Sequence, residues 1–407
     1  MAGSRGFFGR LAPRFGLYIT PRNLRRTPKE FDPLPDPVVF KAAHTAADHW
    51  AHAAKACVDA LLPLPAGANL GFVYATDRLA EDFSSILAYL RQKTGIEHWA
   101  GSVGIGICGN DTEYFDRPGL AVLVGVLPAG SFRMFPSITK GPDELADDIR
   151  AWMKQAPSAF GIVHADPENA ETPRLLESLA DAGAGFLVGG LASSRGALYQ
   201  IAGRVTGGGV SGVLFAPGIA VATGQSQGCA PAGPMHTVTD AVENVIVTLD
   251  GQKPIEVLKA DLGIADARAL QELSGTVHAA FPVAGSDTGD YTVRTLVGAD
   301  PVRGWLAVGG AVAAGDRIMF VRRDPKSAES DLARMADDLK RRTGGRPKAG
   351  IYISCIARGV AMFGREGREL DLIRARLGDF PLVGFYAGGE ISNARLYGYT
   401  GVLALFL

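Results

Sequence analysis

The chain predicts an α+β fold of mixed α/β character: two domains of mixed sheets covered by helices, built from repeated β-α-β-β units. Three observations carry that reading. At 407 residues the chain exceeds one typical domain, and at 47% hydrophobic and 20% charged each domain can bury a core. Short apolar runs alternate with amphipathic stretches of about three turns. One order of elements recurs three times, and a period of roughly 55–60 residues is one at which repeats signal architecture.

Each of the three units opens on a short apolar strand: Leu70–Ala75, Phe160–Ala165 and Ala349–Ser354. An amphipathic helix follows, over Asp82–Lys93, Thr172–Ala182 and Glu366–Leu377, the last stopped by Gly378. Next comes a glycine-punctuated strand: Ala100–Gly106, Leu187–Ala192 and Leu382–Tyr386. A last apolar strand closes each unit, at Leu120–Leu127, Val210–Phe215 and Tyr399–Phe406.

Other helices frame the units. Phe40–Leu62 reads as one long Ala-rich helix, with Phe40, Ala43, Ala47, Trp50, Ala54, Cys57 and Leu61 on one stripe. Asp143–Lys154 follows Pro142, and Ser327–Arg342 follows Pro325. Pro254 opens a short helix that Gly263 closes. Between the second and third units lie strand-rich stretches at Gly218–Thr223, Asn244–Leu249, Tyr291–Leu296 and Trp305–Val312. Residues 261–285 show little periodicity and mark the domain junction, which gives a tail over 1–37 and domains over 38–262 and 263–407.

The tail is basic. Arg5, Arg10, Arg14, Arg22, Arg25, Arg26 and Lys29 all precede the first acid, Glu30, and Pro33, Pro35 and Pro37 follow as an extended linker. It lacks the apolar core of an export signal, and a mobile or partner-docking arm is favoured over a targeting peptide. No apolar run approaches the ~18 residues of a transmembrane helix. A net charge of −1 supplies no field for nucleic acid. Cys57, Cys108, Cys229 and Cys355 form no CxxC pair, which argues against structural zinc and a disulfide framework and fits a reducing cytoplasm.

Candidate site residues concentrate near the C-terminus. Pro381–Ile391 is a buried-strand pattern that runs into Gly388-Gly389 and delivers the carboxylate Glu390, either a partner for an arginine or an anchor for a ligand ammonium. Ser354-Cys355-Ile356-Ala357-Arg358 lies just past a strand, where ligands collect in α/β sheets. Cys355 is either a small residue in a ligand pocket, plain core, or a thiolate nucleophile, though no histidine is near in sequence to act as its base. Arg294 is either an ordinary solvent-facing arginine or a bidentate carboxylate clamp. Gly189 and Gly190 follow a strand but open no helix, so neither they nor Gly104-Ile105-Gly106 make a dinucleotide fingerprint. His44, His49 and His52 read as solvated positions on the long helix, His164 as an interior histidine, and His236 and His278 as lying in connecting segments that could face a cavity. No metal-ligand spacing, nucleophile elbow or HExxH is present.

These residues resemble the FIST proteins (F-box and intracellular signal transduction), bacterial type, with N-terminal and C-terminal FIST domains. The likeness runs through Tyr291-Thr292-Val293-Arg294, Gly304–Gly310, Ser354–Arg358, Phe363-Gly364 with Glu369, and Pro381–Ile391. In the N-terminal part it runs through Val188–Leu191, Gly224–Cys229 and Thr237–Thr239. The resemblance implies a non-enzymatic sensory module for a small ligand, an amino acid or similar metabolite, that signals through a separate protein partner. It implies a pocket lined by Arg294, Cys355, Arg358, Gly384, Tyr386, Gly389 and Glu390, with Gly189 and Gly190 facing it. No cofactor is expected. The competing readings are a haem-binding gas sensor, a Cys355-dependent enzyme and a protein-binding scaffold.

Overall fold

A computed structural model describes residues 38–155, 160–264, 275–283 and 290–407. The basic tail and residues 265–274 and 284–285 of the expected junction fall outside these residues. In chain order, β1 (Val39–Ala46) leads into α1 (Trp50–Leu61), β2 (Leu70–Thr76), α2 (Phe83–Thr94) and β3 (His98–Gly104). A hairpin of β4 (Gly106–Gly109) and β5 (Thr112–Phe115) precedes β6 (Gly119–Val126). There follow β7 (Phe132–Ile138), α3 (Asp147–Gln155), β8 (Phe160–Ala165), α4 (Thr172–Leu179) and β9 (Phe186–Leu191). A second hairpin, β10 (Gln200–Ala202) and β11 (Val205–Thr206), leads to β12 (Val210–Phe215).

The chain continues through β13 (Val221–Gln227), β14 (Cys229–Pro231), β15 (His236–Val242), β16 (Val245–Leu249) and α5 (Pro254–Leu262). After these come β17 (Val277–Pro282), β18 (Tyr291–Asp300), β19 (Trp305–Val308) and β20 (Arg317–Arg323). The last part holds α6 (Pro325–Thr343), β21 (Ala349–Cys355), α7 (Gly359–Phe363), α8 (Arg368–Leu377) and β22 (Leu382–Ala387). A third hairpin, β23 (Glu390–Ser392) and β24 (Arg395–Tyr397), precedes β25 (Thr400–Phe406).

Helices on mixed sheets make this an α+β fold. Three six-stranded sheets share one pattern: β1-β6-β2-β3-β10-β11, β7-β12-β8-β9-β23-β24 and β13-β25-β21-β22-β4-β5. In each, the third and fourth strands are parallel and the others antiparallel. No sheet is made from one expected β-α-β-β unit. Each draws its outer hairpin from a different stretch of chain, so β4 and β5 (residues 106–115) sit on β22, and β23 and β24 on β9. Strands β15 to β20 form a fourth structure, a closed six-stranded barrel: β20-β15-β16-β19-β18-β17, with β17 pairing back onto β20 and β14 extending the line of β15 along β20.

Several elements differ from the sequence reading. The expected helix over Phe40–Leu62 is a strand, β1, then the shorter α1. Alanine favours helix, but Val39 to Ala46 align residue by residue with Val126 to Gly119, and pairing with a central strand outweighs the weak local preference. His44 is therefore on a strand, with Nδ1 2.7 Å from the Tyr114 hydroxyl. His49 caps α1 by accepting from the Ala51 amide, and His52 is exposed. His236 and His278 lie on strands of the barrel, not in connections.

The core is shared between sheets. Phe72, Ile162, Ile351, Phe385 and Phe406 belong to one apolar cluster that joins all three. Burying each such side chain contributes about 1.5–3 kcal/mol. Glycine has one positional meaning here. A Cβ on Gly101, Gly189 or Gly384 would fall 1.7–1.8 Å from the carbonyl oxygen of Val73, Val163 or Tyr352, the residue facing it on the parallel strand.

Candidate functional site

The β21 run Gly350-Ile351-Tyr352-Ile353-Ser354 is buried throughout and ends at Cys355; β22 runs beside it in parallel register, with Cys355 opposite Ala387. Both strands deliver their C-terminal ends to the flank of the barrel. There a buried charged hub forms. The Arg358 Nε donates to Glu369 Oε1 at 2.7 Å, with both side chains fully buried. Arg358 also donates to the Ser226 hydroxyl at 3.2 Å and to the Tyr399 carbonyl at 3.5 Å. The second Glu369 oxygen accepts from Ser354 at 2.8 Å and from the Tyr386 hydroxyl at 3.5 Å. Glu369 stands in the first turn of α8, where the helix N-terminus favours negative charge. Burial pulls the Arg358 guanidinium's proton affinity down, but Glu369 outweighs it and holds the group firmly charged.

Glu390 is the second buried carboxylate. Its Oε2 accepts from the Thr400 amide at 3.0 Å and the Thr400 hydroxyl at 2.8 Å, while Oε1 has no hydrogen-bond partner. Burial pushes its carboxyl up to about 8, opposed by the Thr400 bonds and by Arg358. The Cys355 thiol lies against it, and burial together with the Glu390 charge raises that thiol well above its ordinary range. This environment disfavours the thiolate a nucleophile needs.

A third carboxylate, Glu113 of β5, is also buried; burial and then Glu369 push it up to about 7. Its nearest donors, the Tyr386 hydroxyl and the Gly367 amide, make no hydrogen bond of ordinary geometry to either oxygen.

The barrel supplies the opposite wall. Along β17, Val277, Ala279 and Phe281 fill the barrel interior, so His278 and Ala280 face outward. The His278 ring stacks on Tyr399 at 4.3 Å, and neither ring nitrogen has a partner although the residue is 1% exposed. Burial, then the neighbouring Arg323, lowers its pKa to about 4. Arg323 donates one Nη to the Ala357 carbonyl, while its buried Nε has no partner. Tyr399 holds φ +63°, a strained value for an aromatic residue, and its hydroxyl pairs with Thr295 at 3.1 Å.

Of the sequence-derived candidates, Cys355, Arg358, Tyr386 and Glu390 come together at this seam. Arg294 does not join them. It alternates with Val293 and Thr295, which face Tyr399; its own guanidinium lies 4.1 Å over Phe281 and donates to the Ala311 carbonyl at 2.6 Å. Gly189 and Gly384 are glycines because a facing strand lies too close for a Cβ. A Cβ on Gly190 would meet Ala387 at 2.6 Å, and one on Gly389 would meet Leu191 and Leu396 at 3.1 Å. Those contacts are protein on protein. Arg323 and Tyr399 were not singled out from sequence; Ser226 and Glu369 entered only within the family motifs, and His278 only as a histidine that could face a cavity. The alternation of His278 with Ala280 and of Arg323 with Val321 was the available signal.

Haem fits poorly at these histidines. His164 is enclosed by Tyr74, 3.1 Å from its Nε2, and by the Phe385 ring; His278 is covered by Tyr399. Among the described residues no group of three or more His, Cys, Asp or Glu could hold a metal ion.

The family model for the FIST N domain matches residues 69–252, and that for the FIST C domain matches residues 254–393. The chain belongs to the FIST family. FIST domains are sensory domains of signal transduction. An uncharacterized protein of Mycobacterium tuberculosis (strain H37Rv) is 31% identical over 391 residues, 91% of this FIST chain and 97% of the relative. An uncharacterized protein of Mycobacterium bovis is 30% identical over 353 residues, 83% and 89% of the two chains. Among the described residues no helix of the FIST chain is long and apolar enough to cross a membrane.

Proposed function

We propose that this FIST protein is a cytoplasmic sensor whose small ligand, an amino acid or similar metabolite, binds at the seam between the barrel and the sheet end carrying Cys355 and Glu390. One observation carries the reading: buried polar atoms without partners converge on one seam. Glu390 Oε1, both nitrogens of His278 and Arg323 Nε all lie around Cys355 and Tyr399. A buried polar atom left without a partner costs about 1–3 kcal/mol, so a cluster of them favours a polar ligand that satisfies several at once.

In this reading Glu390 ionises when an ammonium approaches Oε1, while Arg358 stays committed to Glu369. The seam joins the barrel to a sheet, so a ligand that bridges them shifts how firmly the two are held. A separate signalling protein then reads that state.

The test is thermal denaturation and calorimetric titration of the full chain against the L-amino acids and simple alkylamines, beside Glu390→Gln. A midpoint that rises with ligand concentration, and affinity at least ten-fold weaker in Glu390→Gln, supports the assignment. Equal affinity in the two proteins rejects Glu390 as the ammonium acceptor.

A further inference from the structure

The geometry points to Arg323 and His278, on the outer face of the barrel, as the anion-accepting end of this seam, so that the ligand carries a carboxylate or a similarly compact oxyanion. The inference rests on the reading of the seam as a ligand site and replaces Arg294 in the role expected of it. His278 faces Val321 across the β17–β20 ladder and Thr295 across the β17–β18 ladder. The Arg323 amide bonds the Thr276 carbonyl, which makes Arg323 and His278 diagonal neighbours on one face of that ladder. Diagonal neighbours are separated by roughly 7–8 Å at their Cα atoms, a span across which one oxyanion can meet a guanidinium and an imidazole.

Each partner has capacity left over. Arg323 spends one Nη on Ala357 and leaves Nε free; His278 has neither nitrogen engaged. A guanidinium edge is shaped for carboxylate and phosphate oxygens, whereas a solvent-facing arginine has no need of a buried, unpaired Nε. The site has a wet side, since Arg323 and Tyr399 are half-buried and Thr295 and Ile356 are exposed.

Tyr399 supports the same assignment. A tyrosine held at φ +63° in the short link between β24 and β25 is strained, and the strain sets its ring under His278 while its carbonyl accepts from Arg358. The ring thereby ties the anion end to the hub that borders Glu390. An amino acid would lie with its carboxylate toward Arg323 and its ammonium toward Glu390.

An anion placed between Arg323 and His278 offsets the Arg323 charge, but burial, the larger cause, still keeps the imidazole neutral. The other titratable groups around the ring are Tyr399, Cys229 of β14 and Tyr291 of β18, with Arg358 behind Tyr399; none is an ionised carboxylate at neutral pH. At pH 7 the buried imidazole therefore meets the anion as a neutral N–H donor.

The experiment is calorimetric titration of the full chain with three sets of probes: L-amino acids, their amides, and the corresponding acids that lack the amino group. Inorganic phosphate is a fourth probe, and each titration runs in buffers of different ionisation enthalpy. Arg323→Gln, His278→Phe and Glu390→Gln are titrated alongside. His278→Phe keeps a ring on Tyr399, and circular dichroism confirms that each variant is folded.

The inference expects acids to bind and amides to bind about ten- to a hundred-fold more weakly. It also expects weaker binding in His278→Phe, loss of binding in Arg323→Gln, and a proton release, from Glu390 ionising, that disappears in Glu390→Gln. Phosphate binding that depends on Arg323 would identify a general oxyanion site in place of a carboxylate site. Amides binding as well as acids, with Arg323→Gln unaffected and Glu390→Gln impaired, would overturn the inference and leave the seam reading intact. Acids binding equally with or without the amino group, with Glu390→Gln unaffected, would overturn the ammonium assignment alone. No binding by any probe counts against both.

Discussion

Two histidines on the same barrel occupy opposite situations. His236 of β15 has both ring nitrogens on carboxylates, Nδ1 at 2.7 Å from Asp250 and Nε2 at 2.9 Å from Asp261 of α5. His278, two strands away around the ring through β20, is more deeply buried and has no hydrogen-bond partner for either nitrogen. Burial lowers both pKa values, but the two aspartates outweigh burial at His236 and raise it, whereas Arg323 adds to burial at His278 and leaves it at about 4. A fully paired histidine fastens structure. An unpaired one, beside an arginine whose buried Nε also has no partner, is where the ligand is proposed to bind.

The comparison can be broken at several points. The largest effect is expected at the paired hub. Glu369→Ala strands Arg358 in the interior without its counter-charge and should cost about 3–5 kcal/mol in urea unfolding, enough to leave little folded protein. A loss under about 1 kcal/mol would show that the pair is not the anchor described here.

His236→Ala comes next, with an expected loss of about 1–3 kcal/mol. Its sign with pH is fixed by the raised pKa: the stability is fully present below the ordinary histidine value of 6.5 and fades as pH rises through the folded value. The wild-type advantage over the variant should therefore shrink from pH 6 to pH 9.

His278→Phe should behave in the opposite way. Because the folded pKa is about 4 and the unfolded value 6.5, His278 resists protonation in the fold, and stability is lost as pH falls through that window. The variant should gain on wild type between pH 6.5 and pH 4 and differ by under about 1 kcal/mol at pH 8. Parallel pH profiles for the two variants would sink the distinction between the histidines.

Glu390→Gln gives a gentler signature. With the folded carboxyl raised from 4.5 to about 8, the stability it contributes is complete below about pH 4.5 and declines as pH rises to 8. The variant should lack that part of the decline, as read from midpoints at pH 5 and pH 8.

Much of the scaffold was legible in the sequence. Phe160–Ala165 and Val210–Phe215 are strands with the expected bounds, and Pro254 and Gly263 frame α5 as proline and glycine at helix ends should. Three things were not. The Ala-rich segment at 39–46 carried a helical pattern, and only its partner β6, some eighty residues away, makes it a strand. The barrel was visible as strand-rich stretches, but closure depends on β17 pairing with β20 across about forty residues, which no local spacing encodes. The site suffered most from this. Cys355, Arg358 and Glu390 stood out because glycines and strand ends surround them, whereas His278 and Arg323 meet only through that long-range register. Arg294 attracted notice as an arginine on a strand, and strand alternation sends it to the other face.

The central claim is that the unpaired groups at the seam are completed by a small ligand that carries a carboxylate. The most direct measurement is native mass spectrometry of wild type and Arg323→Gln purified side by side. The account predicts a bound species of roughly amino-acid mass on the wild type that is missing from a folded Arg323→Gln; the same adduct on both proteins, or none on the wild type, would contradict it.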